Sequence, residues 1–269
     1  MHIGVIGIRS KHLAFFRQAL ETCFPSGEHT ITHIWGFDAP ECLSKHPDLI
    51  SCDTPQQLIA AVDAVVIATR EGYSHAALAA MCLEAGKPVF VDKPFACSME
   101  DALLIQQTAA RTGTPCTGGS TIAMTKKVQQ LKNKLPHCTE YTLSYQADPF
   151  SPFGGWYFYG SHLTDLCVTL FGTGWTEVSA SQKADRICAR VRYPDFTVIL
   201  RSSPEVQPFA LKADTVYEFD DVHCYEAGMA HFCQVALGQE TGDLPGQVSS
   251  VRLLNAILTA LREEQPYPG

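Results

Sequence analysis

The chain has 269 residues, a formal net charge of -8 at pH 7, 46% hydrophobic residues and 18% charged residues. These proportions are typical of a globular protein and exclude a disordered chain or a coiled coil. The negative balance also argues against a non-specific nucleic-acid binder, which needs a basic surface. The length is sufficient for two domains of ordinary size.

The eleven cysteines are scattered along the chain and never follow a Cys-x-x-Cys spacing. We therefore predict no metal site and interpret most of these cysteines as small buried hydrophobes. No apolar run reaches the roughly 20 residues of a membrane-spanning helix, and Met1 leads directly into an apolar strand pattern. A cytoplasmic protein with no membrane partner is the expectation.

The first half of the chain alternates short apolar segments with amphipathic ones. Strands are predicted at 2–7, 31–37, 63–69, 88–93 and 115–118, with helices after Ser10 and at 55–62, 73–85 and 98–111. Strands that alternate with helices at this spacing form a parallel, doubly wound sheet. We therefore predict a Rossmann-like dinucleotide-binding domain over residues 1–119.

The second half of the chain follows a different pattern. A helix at 124–135, a strand at 139–147 and a helix at 161–171 precede successive strands at 176–182, 184–193, 196–202 and 209–219. Two helices, at 223–237 and 247–264, close the chain and are free to pack back on the first domain. Successive strands indicate an α+β domain over residues 120–269 with a mostly antiparallel, open sheet. An apolar open face on this sheet would favour a homo-oligomer, with a dimer as the first expectation.

The stretch at 88–94, Pro-Val-Phe-Val-Asp-Lys-Pro, ends a buried strand on a lysine held between an acid and a proline. Ligands of open α/β sheets collect just beyond the carboxyl ends of such strands. Lys93 is therefore a candidate for the reacting centre. A solvated loop lysine is the alternative interpretation for this residue taken alone.

A dinucleotide-binding turn has the pattern Gly-x-Gly-x-x-Gly, which brings the backbone close to the pyrophosphate. This chain has Gly7, Ile8, Arg9 and Ser10, followed by a lysine and then His12, so that only the first glycine is present. Arg9 could pair with a phosphate, whereas His12 should hold the helix further from the strand. The turn by itself leaves cofactor binding open.

Asp38 ends the second predicted strand, where an acid accepts hydrogen bonds from a ribose 2'-hydroxyl and repels a 2'-phosphate. This position favours NAD over NADP as the cofactor. A turn-initiating aspartate before Ala39 and Pro40 is the alternative interpretation.

Three segments together resemble the glucose-fructose oxidoreductase/inositol dehydrogenase (Gfo/Idh/MocA) family. They are Asp-Ala-Val-Val-Ile-Ala-Thr at 63–69 with His75, Glu-Ala-Gly-Lys-Pro-Val-Phe-Val-Asp-Lys-Pro at 84–94, and the stretch from Gly-Gly at 154–155 to Gly-Ser-His-Leu-Thr-Asp-Leu at 160–166. The second segment is similar to the lysine-proline signature of the family, with aspartate in place of glutamate. The resemblance extends over nearly the whole chain in the same order.

The resemblance implies an oxidoreductase that uses NAD or NADP on a hydroxyl or carbonyl group of a sugar, polyol or similar small molecule. Lys93 would contact the nicotinamide and the reacting oxygen, and His162 would be the acid/base. Asp165 would support the substrate, which Tyr157 and Tyr159 are also predicted to contact. The predicted cofactor contacts are Gly7, Ile8, Arg9, Ser10, Asp38, Thr69, Arg70, His75, Asp92 and Lys93.

Two departures from the family pattern support a second hypothesis. Two loop glycines are replaced by Arg9 and His12, and Phe158 occupies the position of the acid that precedes the family's histidine by four residues. A family member that has lost catalysis and acts as a ligand-binding or regulatory protein is therefore the alternative function.

Overall fold

The computed structural model describes residues 1–7, 12–36, 39–205, 207–219 and 223–264. In this part of the chain the first sheet has six parallel strands in the order β3-β2-β1-β4-β5-β6. The strands are β1 (His2–Ile6), β2 (Thr30–Trp35), β3 (Ile50–Ser51), β4 (Ala64–Ile67), β5 (Val89–Val91) and β6 (Cys116–Gly118). Every residue of β4 and β5 is buried, as expected for central strands that are covered on both faces.

Five helices cover the parallel sheet: α1 (His12–Cys23), α2 (Ala39–Lys45), α3 (Pro55–Ala61), α4 (His75–Glu84) and α5 (Met99–Thr112). The side chain of Ser98 accepts a hydrogen bond from the N–H of Asp101 and so begins α5. Gly113, with φ 68°, ends it in the left-handed conformation that glycine adopts without strain. The predicted Rossmann-like architecture is confirmed, whereas β3 and α2 had not been predicted.

The second sheet has six strands in the order β12-β11-β7-β10-β9-β8. They are β7 (Glu140–Gln146), β8 (Glu177–Lys183), β9 (Arg186–Arg192), β10 (Thr197–Ser203), β11 (Phe209–Lys212) and β12 (Val216–Phe219). Its pairs are antiparallel except for β7 with β10. The helices of this half are α6 (Lys126–Lys132), α7 (Tyr157–Phe171), α8 (Cys224–Ala236) and α9 (Leu244–Glu264), and short 3-10 turns lie at Gly72–Ser74 and Thr121–Met124. The predicted mostly antiparallel sheet is confirmed.

Two predicted elements differ from the observed ones. The strand predicted at 209–219 is a hairpin, in which residues 213–215 connect the antiparallel strands β11 and β12. Helix α7 begins at Tyr157 and not at Ser161, because the N–H of Gly160 already bonds to the carbonyl of Trp156. This earlier start places Phe158 and Tyr159 on the helix that also carries the predicted catalytic histidine.

Helix α8 packs back on the first sheet. Met229, Phe232 and Cys233 lie in one hydrophobic cluster with residues of β1 and α1, and the rings of Phe232 and Phe90 are 5.8 Å apart. The two halves of the chain therefore share core surface. The boundary at 119/120 stays a prediction.

The outward face of the second sheet is polar. Alternation along the strands directs Phe209, Leu211 and Phe219 into the core and leaves Arg186, Arg201 and Lys212 exposed. The prediction of an apolar open face was therefore wrong, since Tyr217 and Phe219 lie on the inward side of the sheet. Homo-oligomerisation stays a prediction without that basis. None of the helices in the described residues has the length and apolarity needed to cross a bilayer.

Candidate active site

The parallel strands all end at one edge of the first sheet, and the predicted site residues follow them. Gly7 follows β1, Thr69 and Arg70 follow β4, and Asp92 and Lys93 follow β5. Gly7 has φ 91°, and a Cβ atom there would lie 2.4 Å from the backbone nitrogen of Thr69. Only glycine fits between the ends of β1 and β4, so this first turn glycine keeps the position that dinucleotide-binding turns require.

A cavity of about 550 Å³ lies over this edge and extends to α7 and α8. It is lined by side chains from both halves of the chain, among them His12, Arg70, Asp92, Lys93, Tyr145, Phe153, Phe158, Tyr159, His162 and Tyr225. Mixed aromatic and charged walls suit a polar small molecule with a flat or cyclic body.

Lys93 is at the base of the cavity and only 3% exposed. Its Nζ lies 3.6 Å from the centre of the Phe158 ring, 4.6 Å from the centre of the Tyr159 ring and 3.5 Å from the carbonyl oxygen of Phe158. Burial lowers the pKa of Lys93 to about 8, an effect that Arg70 strengthens and Asp92 opposes. The amine is therefore a cation near neutral pH that aromatic faces hold.

Asp92, the first residue after β5, is paired with His12, the first residue of α1. The Nδ1 atom of His12 lies 2.6 Å from Oδ2 of Asp92. Burial by itself would raise the pKa of Asp92, but the charge and hydrogen bond of His12, together with Lys93, bring it to about 2. Asp92 is thus an ionised carboxylate bound to a histidine ring.

His162 comes from α7 and is 7% exposed. Its Nδ1 lies 2.6 Å from Oγ of Ser120, the second residue after β6. Burial, followed by the charge of Lys93, holds the pKa of His162 well below its ordinary value of 6.5. The ring is therefore neutral, and the hydroxyl of Ser120 lies within hydrogen-bond distance of its Nδ1.

Asp165 does not line the cavity. It bonds instead to Ser120, whose hydroxyl lies beside His162. One carboxylate oxygen accepts the N–H of Ser120 at 2.6 Å, and the other accepts the hydroxyl of Ser250 on α9. Burial raises the pKa of Asp165 to about 6, against the hydrogen bonds from Ser250 and Ser120. Direct substrate contact, as predicted, does not fit this position, because both oxygens are already engaged inside the protein.

Other predicted contacts also lie beside the cavity. The His75 ring is 0% exposed, and its two nitrogens face the carbonyl oxygens of Pro94 and Thr69 at 2.7 and 2.9 Å. Tyr157 donates its hydroxyl hydrogen to Asn255 on α9. His75 and Tyr157 are therefore supports of the wall, while Tyr159 and Arg70 line the cavity itself. The predicted cofactor contacts Ile8, Arg9, Ser10 and Asp38 lie outside the described residues.

Sequence reasoning missed Ser120, Tyr145 and Tyr225 as site residues. Ser120 follows a predicted strand end, which is the signal that identified Lys93, and it could have been found in that way. The two tyrosines lie on a strand and a helix of the second half, and no local pattern distinguishes them from core aromatics. Within the described residues no group of three or more His, Cys, Asp or Glu side chains could hold a metal ion.

Residues 1–120 match the model of an oxidoreductase family with an NAD-binding Rossmann fold, GFO_IDH_MocA. These residues match the nucleotide-binding domain of the Gfo/Idh/MocA family. Inositol 2-dehydrogenase from Gluconacetobacter diazotrophicus is 38% identical over 68 residues, which are 25% of this chain and 20% of that protein. The chain thus matches about a fifth of the length of this curated relative, and the family predicted from the sequence motifs is confirmed.

Solved structures extend the likeness in fold to the whole chain. The WlbA dehydrogenase from Thermus thermophilus, in complex with NAD and UDP-GlcNAcA, is 17% identical with a TM-score of 0.78, and the match covers 100% of this chain and 97% of that one. A mutant 3-ketoreductase from Actinomadura kijaniata, in complex with TDP-benzene and NADP, is 15% identical with a TM-score of 0.80, covering 97% and 98%. At these identities the likeness is one of fold.

The hydrogen bonds of Asp165 predict different effects of two substitutions on stability. Asp165→Ala leaves the buried N–H of Ser120 without its acceptor and should lower the free energy of unfolding by about 1–3 kcal/mol. Asp165→Asn keeps an acceptor for Ser120 and a polar partner for Ser250, so the protein should remain about as stable as wild type. Urea unfolding measures the free energy of unfolding of both variants.

The pH dependence of the same variants has a defined sign. The pKa of Asp165 is about 6 in the folded chain against an ordinary 3.8, so the folded state holds this proton to higher pH. The contribution of Asp165 to stability is present at low pH and is lost as the pH rises through about 6. The stability difference between wild type and Asp165→Asn should change across this window, and equal destabilisation by both variants would contradict the assignment.

Proposed function

We propose that this chain is an NAD(P)-dependent oxidoreductase that acts on a hydroxyl or carbonyl group of a sugar, polyol or similar small molecule. One observation carries the proposal: Lys93 from the first half and His162 from the second half line the same cavity, at the carboxyl edge of the dinucleotide-type sheet. A cation and an imidazole at one reacting centre are the residue types that oxidation of a carbinol requires.

The residues at this edge fit a nicotinamide cofactor. The tight turn at Gly7 brings the end of β1 against Thr69, with no room for a side chain. Arg70 lines the cavity with its guanidinium 4.5 Å from the centre of the Phe153 ring, and its buried Nε has no hydrogen-bond partner among the described residues. A buried donor of this kind needs a hydrogen-bond acceptor, which a phosphate or carboxamide oxygen of a ligand would supply.

When bound, the cofactor supplies hydride transfer. The chain must supply the groups that bind and neutralise the substrate oxygen. We assign Lys93 to this oxygen, because a buried ammonium donates a hydrogen bond to the hydroxyl and stabilises the negative charge that grows as its proton leaves. Tyr159, stacked on His162 with ring centres 6.0 Å apart, forms the adjoining wall for the substrate.

We also propose NAD as the preferred cofactor, on the basis of the acidic side chain at Asp38. Solved structures of similar fold hold either NAD or NADP, so fold similarity does not discriminate between them. A ligand-binding protein without catalysis is the second candidate. The observation that favours it is the Phe158 ring, which covers the amine of Lys93 where the family pattern has an acid.

Cofactor binding and turnover test these functions together. Purified protein titrated with NADH should show energy transfer from tryptophan at submillimolar cofactor, with weaker binding of NADPH. Turnover is then followed at 340 nm with myo-inositol, free aldoses and nucleoside-diphosphate sugars, with either cofactor. Binding without turnover on any of these compounds would support the second candidate, and absence of binding up to millimolar cofactor would contradict the oxidoreductase.

A Gly7→Val variant provides the control for the binding signal. Its side chain would collide with the backbone of Thr69, so the turn cannot keep its shape. The variant should lose the energy-transfer signal. If Gly7→Val binds NADH as tightly as wild type, the cofactor does not occupy this edge of the sheet.

A further inference from the structure

The outward face of the second sheet carries another cavity, of about 480 Å³. Tyr145 of β7 lines the cavity of the candidate active site, whereas its neighbour Ser144 points to the other face of the strand and lines this one. The two cavities therefore lie on opposite faces of one sheet. We call the second one the outer cavity; it is bounded by four cations around a floor of small side chains, with Lys183, Arg186, Arg201 and Lys212 as the cations and Ser144 and Cys188 in the floor.

The register of the strands explains the shape of the outer cavity. Arg201 of β10 lies opposite Ser144 of β7 on one side and opposite Cys188 of β9 on the other. One strand further out, Ala210 of β11 pairs with Ser144, and Ser181 of β8 pairs with Cys188. Small side chains thus flank Arg201 on both sides, and the long cationic side chains stand around a shallow floor.

The charge of the outer cavity is positive and largely uncompensated. Among the described residues no aspartate or glutamate lines it. Arg186 pairs with Glu205, but no hydrogen bond or ion pair within the described part of the chain engages Lys183, Arg201 or Lys212. Three unpaired cations around one concavity repel one another, and a bound anion would relieve that repulsion. Such a grouping is notable in a chain whose net charge is -8.

A buried hydroxyl group also lines the outer cavity. Ser203 is 5% exposed, and its Oγ accepts the amide of Gln207 at 3.4 Å. The hydroxyl hydrogen of Ser203 has no acceptor among the described residues. A buried hydroxyl whose hydrogen is free is a donor for an anionic ligand.

We propose that the outer cavity binds a small molecule that carries two or more phosphate groups. The planar guanidinium of Arg201 matches two oxygens of one phosphate, and ammonium and hydroxyl donors approach the remaining oxygens from other directions. The site is independent of the proposed oxidoreductase function, because it shares no residue with the cavity of Lys93 and His162.

The spacing of the cations favours more than one phosphate. Lys212 on β11 and Lys183 on β8 are each two strands from Arg201, which is about 10 Å across the sheet on either side. One phosphate on Arg201 meets at most one of the two lysines, whereas a chain of phosphates extends toward both. The volume of the cavity suits a small molecule. A nucleic acid or a second copy of this chain would need a wider complementary surface.

Calorimetric titration with inorganic tripolyphosphate at constant ionic strength tests the site on the full chain. Wild type should bind the probe at micromolar concentration and bind orthophosphate much more weakly. Arg201→Gln, and the double variant Lys183→Gln/Lys212→Gln, should each weaken binding at least about tenfold. Lys132→Gln is the matched control, because Lys132 is an exposed lysine at the end of α6, outside this cavity, and should bind as wild type does. No binding by wild type at millimolar probe, or equal weakening by the control, would overturn the proposal.

Gly7→Val distinguishes the outer cavity from the cofactor edge of the first sheet. This variant distorts the dinucleotide turn and leaves the second sheet unchanged, so it should bind tripolyphosphate as tightly as wild type. Loss of binding in Gly7→Val together with full binding in Arg201→Gln would place the probe at the cofactor edge and refute the assignment.

The thiol of Cys188 reports occupancy of the floor directly. It is partly exposed and free, so N-ethylmaleimide should alkylate it, and peptide mass spectrometry measures the rate. Saturating tripolyphosphate should slow alkylation of Cys188 several-fold and leave Cys138, a partly exposed thiol outside the cavity, unchanged. An unchanged rate at Cys188 while the probe is bound would show that the probe lies elsewhere.

Light scattering tests the other occupant of this face, a second copy of the chain. If the proposal holds, Arg201→Glu keeps the molecular mass of wild type and loses tripolyphosphate binding. A wild-type dimer that Arg201→Glu dissociates, combined with no binding of tripolyphosphate to wild type, would assign the face to a second copy and remove the phosphate site.

Discussion

Replacing Lys93 by methionine is expected to lower kcat by at least about a hundredfold and to leave the fold intact. The amine is buried beside the Phe158 and Tyr159 rings, and its removal withdraws the cation that would stabilise the substrate oxygen as its proton leaves. Methionine has similar volume and suits an aromatic environment. The loss should therefore appear in turnover and not in folding.

The pH dependence of stability provides a second readout for the same variant. The pKa of Lys93 is about 8 in the folded chain against an ordinary 10.5, so the folded state loses this proton at lower pH than the unfolded chain does. Lys93 destabilises the fold below pH 8, and the penalty decreases as the pH rises toward 10.5. Lys93→Met should consequently be at least as stable as wild type at pH 7, as measured by thermal unfolding.

Lys87→Met is the matched control, because Lys87 precedes the same strand at its opposite end and bonds to the carbonyl of Val62. It should keep wild-type turnover. Wild-type turnover should also fall as the pH rises above about 8, where Lys93 loses its charge. A Lys93→Met enzyme with kcat within a few-fold of wild type would remove Lys93 from the mechanism.

Restoring the family acid by Phe158→Asp is expected to move the alkaline limb of the pH-rate profile upward by about one pH unit or more. The ring of Phe158 lies 3.6 Å from Nζ of Lys93, so a carboxylate at this position would approach the ammonium and favour its charged form. At pH 7 the same carboxylate neutralises part of the positive field on the substrate oxygen. We expect kcat at pH 7 to decrease while activity near pH 9 is retained.

Phe158→Asn separates the charge from the lost packing. Asparagine has nearly the same size as aspartate and leaves the same space beside Phe153 and Tyr159, but it does not pair with an ammonium as an ion. Only Phe158→Asp should displace the alkaline limb. If the two variants give the same pH-rate profile, the limb does not belong to Lys93.

Local pattern alone identified much of this protein. Apolar runs bounded by glycine and proline predicted every strand of the first sheet except the two-residue β3, and the lysine-proline motif identified Lys93 at the sheet edge. Such features are encoded within a few residues, because strand burial and turn geometry depend on near neighbours in the chain. The hairpin of β11 and β12 was missed, since the three residues between these strands leave the apolar alternation on both sides uninterrupted.

The chemistry of the cavity was decided by tertiary structure. His12 looked like a defect in a glycine turn until the fold brought Asp92 within 2.6 Å of its ring. Phe158 looked like a missing acid, and its ring proved to cover the amine of Lys93. Asp165 looked like a substrate contact, and its two oxygens bind Ser120 and Ser250 instead. The sequence determines which side chains are available, but their partners lie 45 to 85 positions away, and only packing sets which of them meet.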